Sequence, residues 1–195
     1  MKVIDISMTI QPDMEMYPGE PGPIITRMSL LERGDLYNVS TLTLGTHTGT
    51  HVDPPLHFIN GGPGIDEMPL DMLVGPARII DLSLVKGTIG PDNIGSLEPD
   101  EIIVLKGARG GARLTTAAAK YLADNNIRTV GTDALSIGAG DEEHGVHNVL
   151  LGAGIAVVEG LVLMGVKPGQ YLFVCLPLKI GQGDGGPARA VLIEE

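Results

Sequence analysis

Tryptophan is missing from the 195-residue chain, and two Phe with four Tyr are its whole aromatic complement. A core must therefore be aliphatic and shaped by the 28 glycines, and a 43% hydrophobic composition is ample for one domain over residues 1–195. Cysteine is almost as scarce. Cys175 stands alone, which excludes an intrachain disulfide and predicts a reducing, cytoplasmic compartment. Positive charge is in short supply: 13 Lys and Arg face 24 Asp and Glu, for a net charge of −11 and an isoelectric point near 4.8. A field of that sign repels phosphates and anionic lipid, so neither nucleic acid nor a membrane surface is expected as a partner. Long hydrophobic runs are also lacking. The longest, Leu150 to Val166, is broken by Glu159 and four glycines, and is short for a bilayer core of ~30 Å. The N-terminal Met1–Ser7 segment carries Asp5 where a signal peptide would be apolar, so it reads as a first strand.

Several catalytic signatures are absent as well. Ser136 lies in Asp133-Ala134-Leu135-Ser136-Ile137-Gly138, which lacks the first glycine of a nucleophile elbow. The glycine-rich stretches 107–111 and 181–186 match neither a Walker loop nor a dinucleotide fingerprint. Cys175 sits between Val174 and Leu176 in an apolar strand, the setting of an inert core thiol. Covalent catalysis is not expected.

What is present is a succession of short β-rich runs: 3–7, 24–31, 39–44, 77–82, 102–106, 129–132, 155–158, 171–176 and 190–193. Helix signals are fewer. Thr115-Thr116 can cap a helix over 117–125, with further candidates at 146–152 and 91–96. Alternation of strand and helix in the second half predicts parallel pairing with right-handed crossovers, whereas the strand-and-turn first half predicts antiparallel structure. The expected class is a layered α/β domain with a mixed or split sheet.

All five histidines fall in two windows, 47–57 and 144–147. Histidines serving packing or surface polarity would be scattered, and clustering with acids is the pattern of a metal site. The first window holds His47, His51, Asp53 and His57. On a straight strand His47 and Asp53 would lie ~20 Å apart, too far to share an ion. The chain must curl, and Gly45, Gly49 and Pro54-Pro55 supply the turn chemistry. His57, beyond the prolines, is either a free imidazole poised to move protons or a further ligand. The second window holds His144, which reads as a solvated loop residue, and His147. It leads to Glu159, a carboxylate inside an apolar run that needs either a metal ion or an arginine such as Arg189 or Arg78. Thr48 and Thr50 are either orienting hydroxyls or loop residues.

The segment His47-Thr48-Gly49-Thr50-His51-Val52-Asp53-Pro54-Pro55-Leu56-His57-Phe58 resembles the signature of the cyclase-like metal-dependent hydrolases, which include bacterial kynurenine formamidases and isatin hydrolases. Tyr17-Pro18-Gly19, Gly131–Ser136, His147, Val158–Leu161, Leu176–Lys179 and Pro187–Ala190 extend the resemblance over nearly the whole chain. The resemblance implies a swivelling β/β/α fold and a cytoplasmic homodimer or higher oligomer with a pocket shared between subunits. It implies two divalent metals per chain, zinc or manganese: one on His47, His51 and Asp53, the other on Asp53, His147 and Glu159. It further implies His57 as catalytic acid/base and a small-molecule amide substrate, an aryl formamide of tryptophan catabolism. A cyclic-amide hydrolase and a non-catalytic metal- or ligand-binding relative are the alternatives. The chain carries Tyr17 where kynurenine formamidases usually carry Trp, which makes Tyr17 the candidate substrate-binding aromatic, with Pro18 and Glu20 beside it.

Overall fold

The computed structural model describes residues 1–138 and 140–194. Among these residues the strands are β1 (Lys2–Asp5), β2 (Ile24–Ser29), β3 (Val39–Thr43), β4 (His51–Asp53), β5 (Val74–Asp81), β6 (Thr88–Ile89), β7 (Ile102–Lys106), β8 (Arg113–Leu114), β9 (Thr129–Thr132), β10 (Ala156–Glu159), β11 (Gly169–Pro177) and β12 (Gly186–Glu194). The helices are α1 (Pro91–Ile94), α2 (Thr116–Asp124) and α3 (Glu143–Gly152). Thr115 caps α2 as expected, its hydroxyl accepting from the Ala118 amide at 3.1 Å.

Strands β5, β7, β9 and β10 pair in parallel, each step made through a helix-containing crossover. The remaining pairings of the main sheet are antiparallel, in the order β1-β12-β11-β5-β7-β9-β10-β4, and a further β12–β4 pairing closes it into a mixed barrel. The mixed sheet expected of the sequence is thus present. β2 and β3 form a separate antiparallel ribbon.

Side-chain alternation along the parallel strands divides the apolar residues between two cores. Ile102, Val104, Ala156 and Val158 point into the barrel, where they meet Phe173, Cys175 and Leu192. Ile103, Leu105, Val130 and Val157 point outward to Ala118, Leu122, Val146 and Leu150 of the helices. Nearly all of these side chains are aliphatic, as the scarcity of aromatics requires. Among the described residues, no helix is long and apolar enough to cross a membrane.

Strand and helix ends shift by several residues from the sequence reading, and two of the differences bear on the site. The third helix begins at Glu143 rather than Val146, so His144 is exposed on a helix and not on a loop. Residues 51–53, read only as part of a curled segment, form a strand because β10 and β12 flank them.

Candidate metal centre

The site forms where the outward face of the sheet meets α3. In the antiparallel pairing of β4 with β10, His51 stands opposite Glu159 and Asp53 opposite Val157. Opposed residues share a face, so His51, Asp53 and Glu159 all face the helical layer while Val52 enters the barrel. His147 of α3 comes down onto this face, its Nε2 lying 3.2 Å from Glu159 Oε1 and 3.9 Å from Asp53 Oδ2. The turn before β4 curls back, with Gly49 at φ +70°, and brings His47 Nδ1 to 2.9 Å from Asp53 Oδ1. His51 Nε2 is 3.3 Å from Asp53 Oδ1 and 3.6 Å from Glu159 Oε2. The structure therefore brings His47, His51, Asp53, His147 and Glu159 together around one carboxylate. Arg78 and Arg189, the other candidate partners of Glu159, bind Glu101 and Asp5 instead.

Backbone carbonyls set the histidine tautomers. His51 Nδ1 lies 2.9 Å from the Gly49 carbonyl, and His147 Nδ1 lies 2.8 Å from the Glu143 carbonyl one helical turn back. A carbonyl can only accept, so each Nδ1 donates and each Nε2 is turned toward the site. Phe58 stacks on His147 at 4.4 Å and 8°, fixing the ring plane. Thr50 touches no ligand group: its hydroxyl donates to the Gly160 carbonyl at 2.6 Å and accepts from the Met8 amide, pinning the turn to the end of β10.

Asp53 is fully buried and its Oδ2 has no hydrogen-bond partner among the described residues, nor has His47 Nε2. A buried carboxylate oxygen without a donor costs several kcal/mol unless a cation faces it. The ligand-capable atoms of His51, Asp53 and Glu159 lie within 4.8 Å of one another, as do those of His47, Asp53 and His57. Nitrogen and oxygen donors at that separation, with orphaned lone pairs among them, fit a divalent metal ion.

In the absence of an ion, the same acids hold protons on two of the histidines. Burial works to depress His51, but the charge and hydrogen bond of Asp53, with the charge of Glu159, overcome it and push it up to about 9. His147 likewise loses to burial less than it gains from Glu159 and Asp53, and rises to about 9. Asp53 is held well below the carboxylate range: burial opposes the shift, and His51 and His47 outweigh it. His57 goes the other way. Burial first, and then the neighbouring His47 and His147, lower it to about 4 despite the charge of Asp53. Its ring lies 4.0 Å from that of His47 and makes no hydrogen bond among the described residues, so it stays a neutral imidazole at pH 7.

The donors open into a cleft of about 190 Å³ lined also by Tyr17, Glu20, Phe58, Leu135, Ser136 and Glu143. Tyr17 donates its hydroxyl to Glu143 Oε2 at 2.8 Å, a bond that chiefly raises the phenol to about 12 and keeps it protonated. Ser136 donates to the other oxygen of Glu143 at 3.0 Å. The sequence reading did not single out Phe58, Ser136 or Glu143 as site residues. Glu143 was findable, since an acid one helical turn before His147 shares its face. Glu20 lines the cleft, whereas Pro18 faces an adjoining cavity and His144 has no place among the donors.

Residues 4–139 match the family model Cyclase, described as "Putative cyclase". The kynurenine formamidase of Salinibacter ruber is 37% identical over 206 residues, covering 98% of this chain and 97% of its own. A solved structure described as a potential metal-dependent hydrolase with cyclase activity is 35% identical with a TM-score of 0.87, covering 98% of this chain and 96% of that one. Isatin hydrolase A from Labrenzia aggregata shares the fold at a TM-score of 0.86 and 24% identity, over 100% of this chain and 94% of its own.

Proposed function

The chain belongs to the Cyclase family, and from that premise we propose that it is a metal-dependent hydrolase of a non-peptide amide bond, acting on an aryl formamide of the N-formylkynurenine type. The observation that carries this reading is Asp53, a fully buried carboxylate with an orphaned oxygen at the meeting point of three histidines and Glu159. His47, His51 and Asp53 would hold one divalent ion, and Asp53, His147 and Glu159 a second. Zinc and manganese both suit this thiolate-free set. Such an ion supplies Lewis acidity, polarising a carbonyl and lowering the pKa of water.

The protein's own groups do the rest. His57, neutral and without a ring hydrogen bond, accepts a proton from the attacking water and returns it to the departing amine nitrogen. Tyr17, protonated and fixed by Glu143, offers its ring face to the aryl group at the cleft wall. Phe58 and Leu135 line the cleft and exclude water from part of it. The enzyme acts in the cytoplasm as one domain, and as a homodimer or higher homo-oligomer. The lone cysteine supports the first, and the exposed Ile24, Met28, Val39 and Leu42 of the β2–β3 ribbon support the oligomer.

The test is hydrolysis of N-formylkynurenine by protein loaded separately with zinc and with manganese, using His57→Ala as the blank. A metal-dependent rate that the variant lacks supports the assignment. Full loading without turnover discards the formamide and points to lactams and other cyclic amides. The proximity of His57 to His47 and Asp53 favours a second reading, with His57 as a ligand. Metal content separates the two: His57→Ala retains its ion if the residue carries protons and releases it if the residue is a ligand.

A further inference from the structure

Cations are few in this acidic chain, and most of its arginines near acids are committed. Arg78, Arg109 and Arg189 pair with Glu101, Glu15 and Asp5. Arg113, half-buried on β8, makes no ion pair among the described residues. Its Nη1 donates to the carbonyls of Ala108 and Ala112, the latter at 3.0 Å. These bonds hold the guanidinium in place, and among the described residues Nε and Nη2 have no partner.

The side chain lines a cavity of about 330 Å³ whose wall includes Tyr17, Leu135, Ser136 and the ion pair of Arg109 with Glu15. Tyr17, Leu135 and Ser136 also line the metal cleft, so the two spaces adjoin. Glu143 marks the junction, its carboxylate held by Tyr17 and Ser136. Glu15, the acid on that wall, is taken by Arg109, so a planar, partly desolvated guanidinium without an acid of its own suits a carboxylate. Glu143 on the approach disfavours a bare anion and suits an ammonium group on the same ligand.

We propose that Arg113 is a specificity-determining residue that binds the carboxylate of a substrate bearing an amino-acid arm, in the chamber beside the metal centre. The inference rests on the formamide reading for its substrate class. The formyl group faces the metal ligands, and the arm extends past Tyr17 into the second cavity.

The experiment is titration calorimetry of the metal-loaded protein with L-kynurenine and with 2-aminoacetophenone, which keeps the aryl ketone and lacks the arm. The expected result is about 10-fold tighter binding of L-kynurenine, as one charge-assisted contact provides. Arg113→Ala should remove that advantage while still binding 2-aminoacetophenone, which also reports that the variant is folded, and Arg113→Lys should restore part of it. Equal affinity of the wild type for the two ligands overturns the proposal. So does failure of L-kynurenine to bind, or an equal loss for both ligands in Arg113→Ala. Wild-type turnover of formanilide and N-formylkynurenine is measured alongside. Its absence sinks the formamidase reading alone, because the binding comparison needs no turnover.

Discussion

Gly160 offers a sharp test of how the metal face is assembled. It follows β10 at φ +67°, and a Cβ there would lie 2.4 Å from the Gly49 oxygen, so something must move by at least 0.6 Å to reach the 3.0 Å that real Cβ contacts respect. Neither side yields easily, because both are backbone and the Thr50 hydroxyl ties them together through the Gly160 carbonyl. The Gly49 carbonyl is also the acceptor that orients His51. Gly154 is the control: it too has positive φ, +75°, but open space around its Cβ position. Alanine at 154 should cost about 1–2 kcal/mol from the left-handed backbone alone. Alanine at 160 should cost about 2 kcal/mol more from the clash, lowering Tm by a further ~4–8 °C in a chain of this size. Calorimetry of the metal-free proteins reads the stability, and chelator competition reads the metal. Only Gly160→Ala should weaken metal binding, by ~10–100-fold, since it displaces the group that orients a ligand. Equal melting temperatures in the two variants, or intact metal affinity in Gly160→Ala, would refute the reasoning.

Three further outcomes are expected. Asp53→Ala should lose bound metal altogether by elemental analysis, since the proposed ions share that carboxylate. Retention of a full complement would remove Asp53 from the ligand set. The metal-free protein should lose stability as pH rises from about 6.5 to about 9 in denaturant titrations. His51 and His147 are raised to about 9, so their contribution is complete below the unfolded value near 6.5 and vanishes as they deprotonate. Metal affinity should rise over that same interval as competing protons leave, and a flat profile in both would contradict the assigned charges. Cys175 is fully buried, and burial pushes its thiol up to about 12. It should therefore resist a thiol reagent in the folded protein and react on unfolding.

Much of the architecture can be read from residue order. Runs such as Ile102–Lys106 and Thr129–Thr132 are β-branched and flanked by turn residues, and the helices between them force parallel neighbours. The strand β4 escapes that reading because His51-Val52-Asp53 holds a single apolar residue, and only its neighbours make it a strand. The register of β1 on β12 joins opposite ends of the chain and leaves no local trace. The start of α3 is obscured by Gly145, a poor helix former. The fold explains that glycine, since a Cβ there would sit 2.7 Å from the Thr116 hydroxyl oxygen of α2. The histidine windows make the first face of the site visible, because imidazoles beside acids are uncommon and theirs are crowded. Phe58, Ser136 and Arg113 are ordinary residues with no periodicity to mark them. Tertiary packing alone brings them to the cleft and its side chamber.

The short strand β4 also sets an order in time. It closes the barrel, with Val52 opposite Gly186 and His51 opposite Pro187 on β12 and with β10 on its other edge. During synthesis residues 51–53 precede Gly186 by a delay on the order of ten seconds. Until α3 and β10 are made, the early histidines have no sheet edge to lie on and no Glu159 or His147 to face, and the barrel cannot close over them before β12 follows. Assembly of the complete donor set therefore waits on long-range pairings, which are the slow ones to form. The seam that completes the barrel is also where a metal-free molecule should begin to open.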